Sequence, residues 1–142
     1  MIDYTPIPPE KWEWFGMAGH FICGRWCRFH LTTRVGKYLI STVGLYVHPR
    51  RANGREDTEA EWLAQNPRGE QIGADRFYET MVFLAGKKCR EKDCNCGQPR
   101  MVSGESLDFM HHDDAGEANK GHLKMCKRWA SVEKNPRGSV RT

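Results

Sequence analysis

The sequence predicts an α+β fold: a mostly antiparallel sheet of about four or five strands, covered by a C-terminal amphipathic helix. Two observations predict it. Residues 20–47 are rich in aromatic, β-branched and cysteine residues and contain a turn signal. Residues 115–131 instead place apolar side chains at the helical spacing i, i+4, i+7, i+8 and i+11. One short helix is expected between these two regions.

The first half of the chain is predicted to form a β-hairpin. Residues 12–17 form a cap or a short first strand, and the hairpin follows over residues 20–33 and 38–47. Gly36 can supply the positive φ that a tight turn requires. Gly44 interrupts the second strand and indicates a bulge or a close approach of another group to the backbone.

The short middle helix is expected to begin at Asp57 or Thr58, either of which can cap it, and to end at Asn66-Pro67. A further strand is predicted over residues 77–85, and a last strand over residues 105–110. Between these two strands lies a loop that is dense in charge, glycine, proline and cysteine.

The final helix, about residues 115–131, is expected to be capped by Asp113 or Asp114. Its apolar face should pack on the sheet, so residues 1–133 are predicted to form a single α+β domain. Residues 134–142 are basic and contain glycine and proline, which predicts a disordered tail.

Composition limits the class of protein. The 142 residues carry a formal net charge of +4, which permits an anionic partner without requiring one. No apolar run is long enough for a membrane span, and the first residues lack the pattern of a secretory signal. We therefore expect a soluble protein of a reducing cytoplasm, whose six cysteines are thiols or metal ligands.

The first group of metal-competent residues has the spacing H-x2-C-x3-C-x2-H and comprises His20, Cys23, Cys27 and His30. In a strand the two cysteines share one face and the two histidines the other, which argues against a single tetrahedral site. The interpretation we favour is that the cysteines are small buried apolar groups.

The second group lies in the loop and consists of Cys89, Cys94 and Cys96. Thiolates at this spacing can hold Zn²⁺ with a fourth ligand, whereas the alternative is three exposed loop thiols. The candidates for the fourth ligand are Cys126, His111, His112 and His122. Zinc is thus the cofactor to test, although the sequence favours no cofactor.

Three polar residues on otherwise apolar faces, His30, Glu79 and His122, are candidates for general acid–base chemistry. No nucleophile elbow, phosphate-binding loop, dinucleotide fingerprint or metalloprotease motif accompanies them. The alternative is a satisfied core network in which Glu79 pairs with Arg28 or a histidine. The sequence therefore leans away from an enzyme without excluding one.

A ligand pocket on the sheet is the binding hypothesis. Arginine forks and hydroxyl groups suit phosphate oxygens, and the alternative is an ordinary solvated strand face. The pocket is expected to be lined by Arg28, His30, Thr42, Tyr78, Glu79 and His122. Nucleic acid is a further partner to consider, since the last helix and the tail carry a row of cations. The row is Lys120, Lys124, Lys127, Arg128, Lys134, Arg137 and Arg141.

The strings GHFIC-x3-CRFHL, STVG-x-Y, YETMVF and GH-x2-M, which fall between residues 12 and 129, resemble a group of small proteins of tailed bacteriophages. The resemblance implies an accessory protein expressed in the cytoplasm of an infected bacterium, and it implies no catalytic residue. Phage proteins of this size often act by binding, so the expected role is to counter host defence.

Three hypotheses follow. The first is a binding protein that sequesters a nucleotide-derived signal or another anionic ligand, or that inhibits a host defence protein. The second is a zinc-stabilised regulator that binds nucleic acid or a host protein. The third is a small nucleotide hydrolase that uses His30, Glu79 and His122. Edge strands and aromatic residues near the N-terminus also allow a homodimer, and no membrane association is expected.

Overall fold

A computed structural model describes residues 6–15, 26–48, 56–94 and 96–133, and it confirms the α+β class. A short 3-10 turn, Pro9–Lys11, precedes the sheet. The strands are β1 (Glu13–Phe15), β2 (Cys27–Val35), β3 (Tyr38–Tyr46), β4 (Tyr78–Lys88), β5 (Pro99–Met101) and β6 (Asp108–His112), and the helices are α1 (Glu56–Gln65) and α2 (Ala115–Glu133).

All strand pairs are antiparallel, and β1, β2, β3 and β4 lie side by side in chain order. Strand β4 then pairs with two strands along its other edge. Its first half pairs with β6 and its second half with β5. Strand β6 therefore lies at an edge of the sheet, with no strand on its outer side in the described part of the chain.

The predicted hairpin is confirmed. Val35 and Tyr38 face each other across a two-residue turn, in which Gly36 has a φ of 61°. Gly44 is indeed a site of close approach, because a Cβ atom there would lie 1.9 Å from the ring of Tyr78. That ring makes an edge-to-face contact with Phe29 at 5.2 Å, so an aromatic pair covers the glycine.

The sheet has apolar clusters on both faces. Helix α2 packs on one face, which we call the helix face, and buries the cluster of Trp12, Val35, Tyr38, Ile40, Val82, Met125, Cys126, Trp129 and Ala130. The opposite face, which we call the loop face, carries Cys27, Leu39, Val43 and Phe83, packed by partly buried residues that include Ile72 and Met81. The predicted packing of the Met125–Trp129 face on the sheet is thus confirmed.

The cap of α2 is confirmed as Asp114. Its Oδ1 accepts a hydrogen bond from the Glu117 amide at 2.8 Å, while Glu117 Oε2 accepts one from the Asp113 amide at 3.0 Å. Together these bonds satisfy two backbone donors at the start of the helix. No helix in the described ranges is long and apolar enough to cross a membrane.

Several predicted boundaries were wrong. Helix α1 already includes residues 57 and 58, so neither Asp57 nor Thr58 is its cap. The last strand spans residues 108–112 rather than 105–110, and β5 was not predicted. Three residues with a proline give little periodicity, which is why pairing alone reveals β5. The predicted tail, residues 134–142, lies outside the described residues, as do His20 and Cys23.

Any side chain at Gly121, in the middle of α2, is predicted to destabilise the protein. A Cβ atom at this position would lie 2.1 Å from Cε1 of His112. We expect Gly121→Ala to lower the free energy of unfolding by about 1–3 kcal/mol because the ring must move. This loss would occur although alanine is the better helix former by about 1 kcal/mol.

Gly116→Ala in the same helix is the matched control for urea unfolding. Its Cβ would meet only Asp114 Oδ1, at 3.3 Å, so the variant should be neutral or slightly stabilised. A Gly121→Ala variant as stable as Gly116→Ala would contradict the close packing of His112 on the helix.

Candidate functional site

A chain of hydrogen bonds runs through the interface between the sheet and α2. His112 Nε2 bonds to Thr80 Oγ1 at 2.8 Å, and Thr80 Oγ1 bonds to Thr42 Oγ1 at 2.7 Å. Thr42 Oγ1 also lies 2.7 Å from Nδ1 of His122, whose Nε2 lies 2.8 Å from Thr33 Oγ1. All five side chains are buried, so the chain satisfies polar groups that would otherwise be costly inside the protein.

Burial keeps these groups uncharged. It lowers the pKa of His122 to about 4, with a smaller contribution from the nearby His112. It also lowers the pKa of His112, although the carboxylates of Glu117 and Asp114 oppose the shift. The thiol of Cys126 has its pKa raised to about 12 by burial, with a small opposing effect of a hydrogen bond to Thr33. This interior is therefore neutral near pH 7.

An open groove of about 580 Å³ lies beside the outer edge of β6, and His112 forms part of its wall. A tight turn borders one side and α2 borders the other. Its lining residues are Ala74, Arg76, Met110, His111, His112, Glu117, Lys120, Gly121 and Lys124. We call it the β6–α2 groove. Its volume is in the range of small-molecule sites.

The turn that borders the groove has an uncommon backbone. Ala74 and Asp75 have φ angles of 53° and 58°, and the Arg76 amide donates to the carbonyl of Gly73 at 2.9 Å. Left-handed conformations are costly for residues other than glycine, of the order of 1 kcal/mol each. The turn is held by the ion pair between Arg76 and Asp113, which ties it to the start of α2.

The groove is rich in cations. Lys120 and Lys124 lie one turn apart on α2, and neither side chain has a hydrogen bond or an ion pair with another described residue. Arg76 adds a third cation, although it is paired with Asp113. The only acid in the lining, Glu117, accepts a backbone hydrogen bond at the start of the helix. The groove therefore favours an anion.

A carboxylate–imidazole pair lies at the same edge of the sheet. Nε2 of His111 is 3.0 Å from Oε2 of Glu79, and the side chains are only 19% and 12% exposed. Gly73 covers this pair, since a Cβ atom there would lie 3.1 Å from His111 Nε2 and 3.3 Å from Glu79 Oε2. A larger residue at position 73 would crowd the pair.

The residues predicted to form one pocket are divided between the two faces of the sheet. Thr42 and His122 belong to the buried chain on the helix face. Strand pairing places His30, Val43, Glu79 and His111 in one row on the loop face. In that row His30 is separated from Glu79 by a whole strand, about 10 Å. His30, Glu79 and His122 thus do not converge.

The remaining two residues of the predicted pocket have structural partners. Arg28 forms an ion pair with Glu59 of α1, and the hydrogen bond between them is the main reason that the pKa of Glu59 is lowered. Tyr78 packs over Gly44, and burial raises the pKa of its phenol. Neither residue lines the β6–α2 groove.

The loop between β4 and β5 brings three cysteines together. The sulfur atoms of Cys89, Cys94 and Cys96 all lie within 4.8 Å of one another. A backbone hydrogen bond from Cys96 lowers the pKa of Cys94, but hydrogen bonds with the sulfur atoms of Cys96 and Cys89 outweigh it and the net shift is upward. Sulfur atoms bound to one Zn²⁺ are about 3.8 Å apart, so the cluster can hold a metal ion.

The predicted fourth metal ligands were wrong. Cys126 lies in the apolar core under α2, and His122 and His112 belong to the buried chain. His111 bonds to Glu79. Among the described His, Cys, Asp and Glu side chains, the metal-competent group is limited to the three cysteines.

Sequence reasoning missed the β6–α2 groove. The sequence pattern identifies His111 and His112 only as possible metal ligands and ends the last strand before them. It places Lys120 and Lys124 only in a row of cations. The available signal was Gly121, because a glycine in the middle of a helix is unfavourable unless something packs against it.

Stability is predicted to fall in mild acid because of His122. Its pKa is about 4 in the folded protein, against an ordinary value of 6.5. The unfolded chain thus binds more protons between these values, and the free energy of unfolding should fall by about 3 kcal/mol as the pH drops through this window. The lowered pKa of His112 acts in the same direction.

Urea unfolding between about pH 7 and pH 4 measures this slope. The variant His122→Gln, which can still donate and accept hydrogen bonds, should show a clearly shallower slope. Equal slopes in the two proteins would show that His122 is not responsible.

The described geometry thus offers two candidate sites, the β6–α2 groove and the three-cysteine loop. The groove offers lysine and arginine cations and two imidazoles, and the loop offers three thiols. In comparisons with known proteins, no family model, curated protein or solved structure matches the chain.

Proposed function

We propose that this chain is a binding protein that takes an anionic small molecule in the β6–α2 groove. The observation that carries the proposal is the pair Lys120 and Lys124, which lines the groove without a carboxylate partner in the described part of the chain. Long cationic side chains can bind the oxygens of phosphate or carboxylate groups.

The form of the groove supports a bound molecule rather than a solvated helix surface. His112 forms part of the wall and is held by the buried chain, so it cannot turn away freely. Arg76 is held by Asp113. Binding costs less free energy when the contacting groups are already ordered. An ordered imidazole next to two lysines that have no partner in the described part of the chain therefore favours anion binding.

The narrower proposal is that the anion is a nucleotide-derived signal of host defence, as the resemblance to phage accessory proteins suggests. A groove of about 580 Å³ suits a molecule of nucleotide size. Sequestration requires no turnover. The hydrolase hypothesis on His30, Glu79 and His122 is not proposed, because the sheet separates these residues.

Removing both lysines should weaken anion binding. We expect Lys120→Ala/Lys124→Ala to raise the dissociation constant for inorganic phosphate or a nucleoside monophosphate at least about tenfold. Lys127→Ala, on the same helix but outside the groove lining, is the matched control and should bind like the wild type. Isothermal titration calorimetry at fixed, low salt gives the constants. Equal affinities of the two variants would overturn the proposal.

A second function is favoured by the three-cysteine loop. We propose that Cys89, Cys94 and Cys96 hold one zinc ion that orders the loop between β4 and β5. Three sulfur atoms within 4.8 Å support it, because zinc binds thiolates far more strongly than thiols hydrogen-bond to one another. A loop ordered by zinc would also give this protein, acting as a regulator, a surface that binds a host protein or nucleic acid.

Native mass spectrometry of protein purified without added metal should find about one zinc ion per chain. Cys94→Ser and Cys96→Ser are each expected to lose the metal and to lower the melting temperature by about 5 °C or more. Cys126→Ala, which changes a buried thiol outside the cluster, should retain the zinc. A metal-free wild-type protein whose melting temperature is unaffected by chelator would rule out the site.

A further inference from the structure

The pair of Glu79 and His111 determines which nitrogen of the imidazole carries the proton. The Glu79 carboxylate can only accept a hydrogen bond when it is ionised. Nε2 of His111, at 3.0 Å from Oε2 of Glu79, must therefore be the donor. In the neutral ring this leaves Nδ1 without a hydrogen atom, so that it is an acceptor.

The acceptor nitrogen lies on the edge of the ring that faces away from Glu79 and Gly73. Glu79 and Gly73 lie against the opposite edge, since a Cβ atom on Gly73 would be 3.1 Å from Nε2 and 3.6 Å from Cδ2 of His111. His111 also lines the groove. Its polar contacts in the described part of the chain are limited to Glu79. Nδ1 is thus available to a ligand.

From this geometry we infer that the groove selects an anion that carries its own proton, the simplest being hydrogen phosphate. Lys120 and Lys124 donate to its charged oxygens, and its P–OH group donates to His111 Nδ1. Sulfate has a similar size and the same double negative charge as HPO₄²⁻, but it has no hydrogen to donate. It would place an oxygen against a lone pair, which is repulsive. This inference rests on the proposed anion binding in the groove.

The other groups around the groove do not remove this selectivity. Arg76 and the lysines are donors to either anion, and they cannot tell phosphate from sulfate. Glu117 accepts the Asp113 amide through Oε2 at 3.0 Å, and its carboxylate can accept further hydrogen bonds, so it is a second acceptor in the lining. His112 uses its Nε2 within the buried chain. The part of the discrimination that responds to Glu79 therefore depends on His111, and Glu79 acts through it as a positioning residue.

The test compares the dissociation constants of inorganic phosphate and sulfate at about pH 8 by isothermal titration calorimetry. The wild type should bind phosphate at least about tenfold more tightly than sulfate, as expected for one hydrogen bond gained against one repulsive contact. Glu79→Gln should reduce this ratio to about threefold or less, because an amide can also donate to Nε2 and so allow the proton on Nδ1.

His30→Gln is the matched control, since it changes a histidine of the same row but leaves the pair of Glu79 and His111 intact. It should keep the wild-type ratio. A wild-type ratio near one, with both anions bound, would overturn the inference while leaving the anion groove standing. A selectivity that survives Glu79→Gln would also overturn it. Failure of both anions to bind would instead count against the proposed function itself.

Discussion

The structure depends on one constraint, which is that every polar group between the sheet and α2 must find a partner. Threonine hydroxyls from β2, β3 and β4 meet the two ring nitrogens of His122 and one of His112. Each hydroxyl can donate one hydrogen bond and accept others, so the chain can be satisfied without any charge. Three strands, β6 and α2 are thereby joined by directional bonds within a core that is otherwise apolar.

This constraint also shapes the surface. The series of buried hydrogen bonds ends at His112, the last residue of β6. The ring of His112 is therefore fixed against the backbone of Gly121. The helix approaches the strand closely at this point, and Lys120 and Lys124 flank the glycine. The packing of the core thus places these two lysines beside the strand edge, and the position of the groove depends on it.

Local signals predicted local features well. The turn at Gly36, the close approach at Gly44 and the apolar face of α2 each depend on a few neighbouring residues. The three cysteines also lie within one loop, so their proximity could be predicted. The pocket could not, because which residues share a face depends on the register of strands that are distant in sequence. For Glu79, polar on an apolar face, the predicted alternative of a pair with Arg28 or a histidine is confirmed, and the histidine is His111.

The buried chain also bears on the order of folding. Thr33 and His122 are separated by 89 positions, and Thr42 and Thr80 by 38, so these bonds close only after the loops between them. A slip of β3 against β4 by one residue would turn Thr42 to the opposite face and leave a buried imidazole unsatisfied. These long-range bonds thus distinguish the native register of β3 from its neighbours, which apolar burial alone would not do because β3 is buried on both faces.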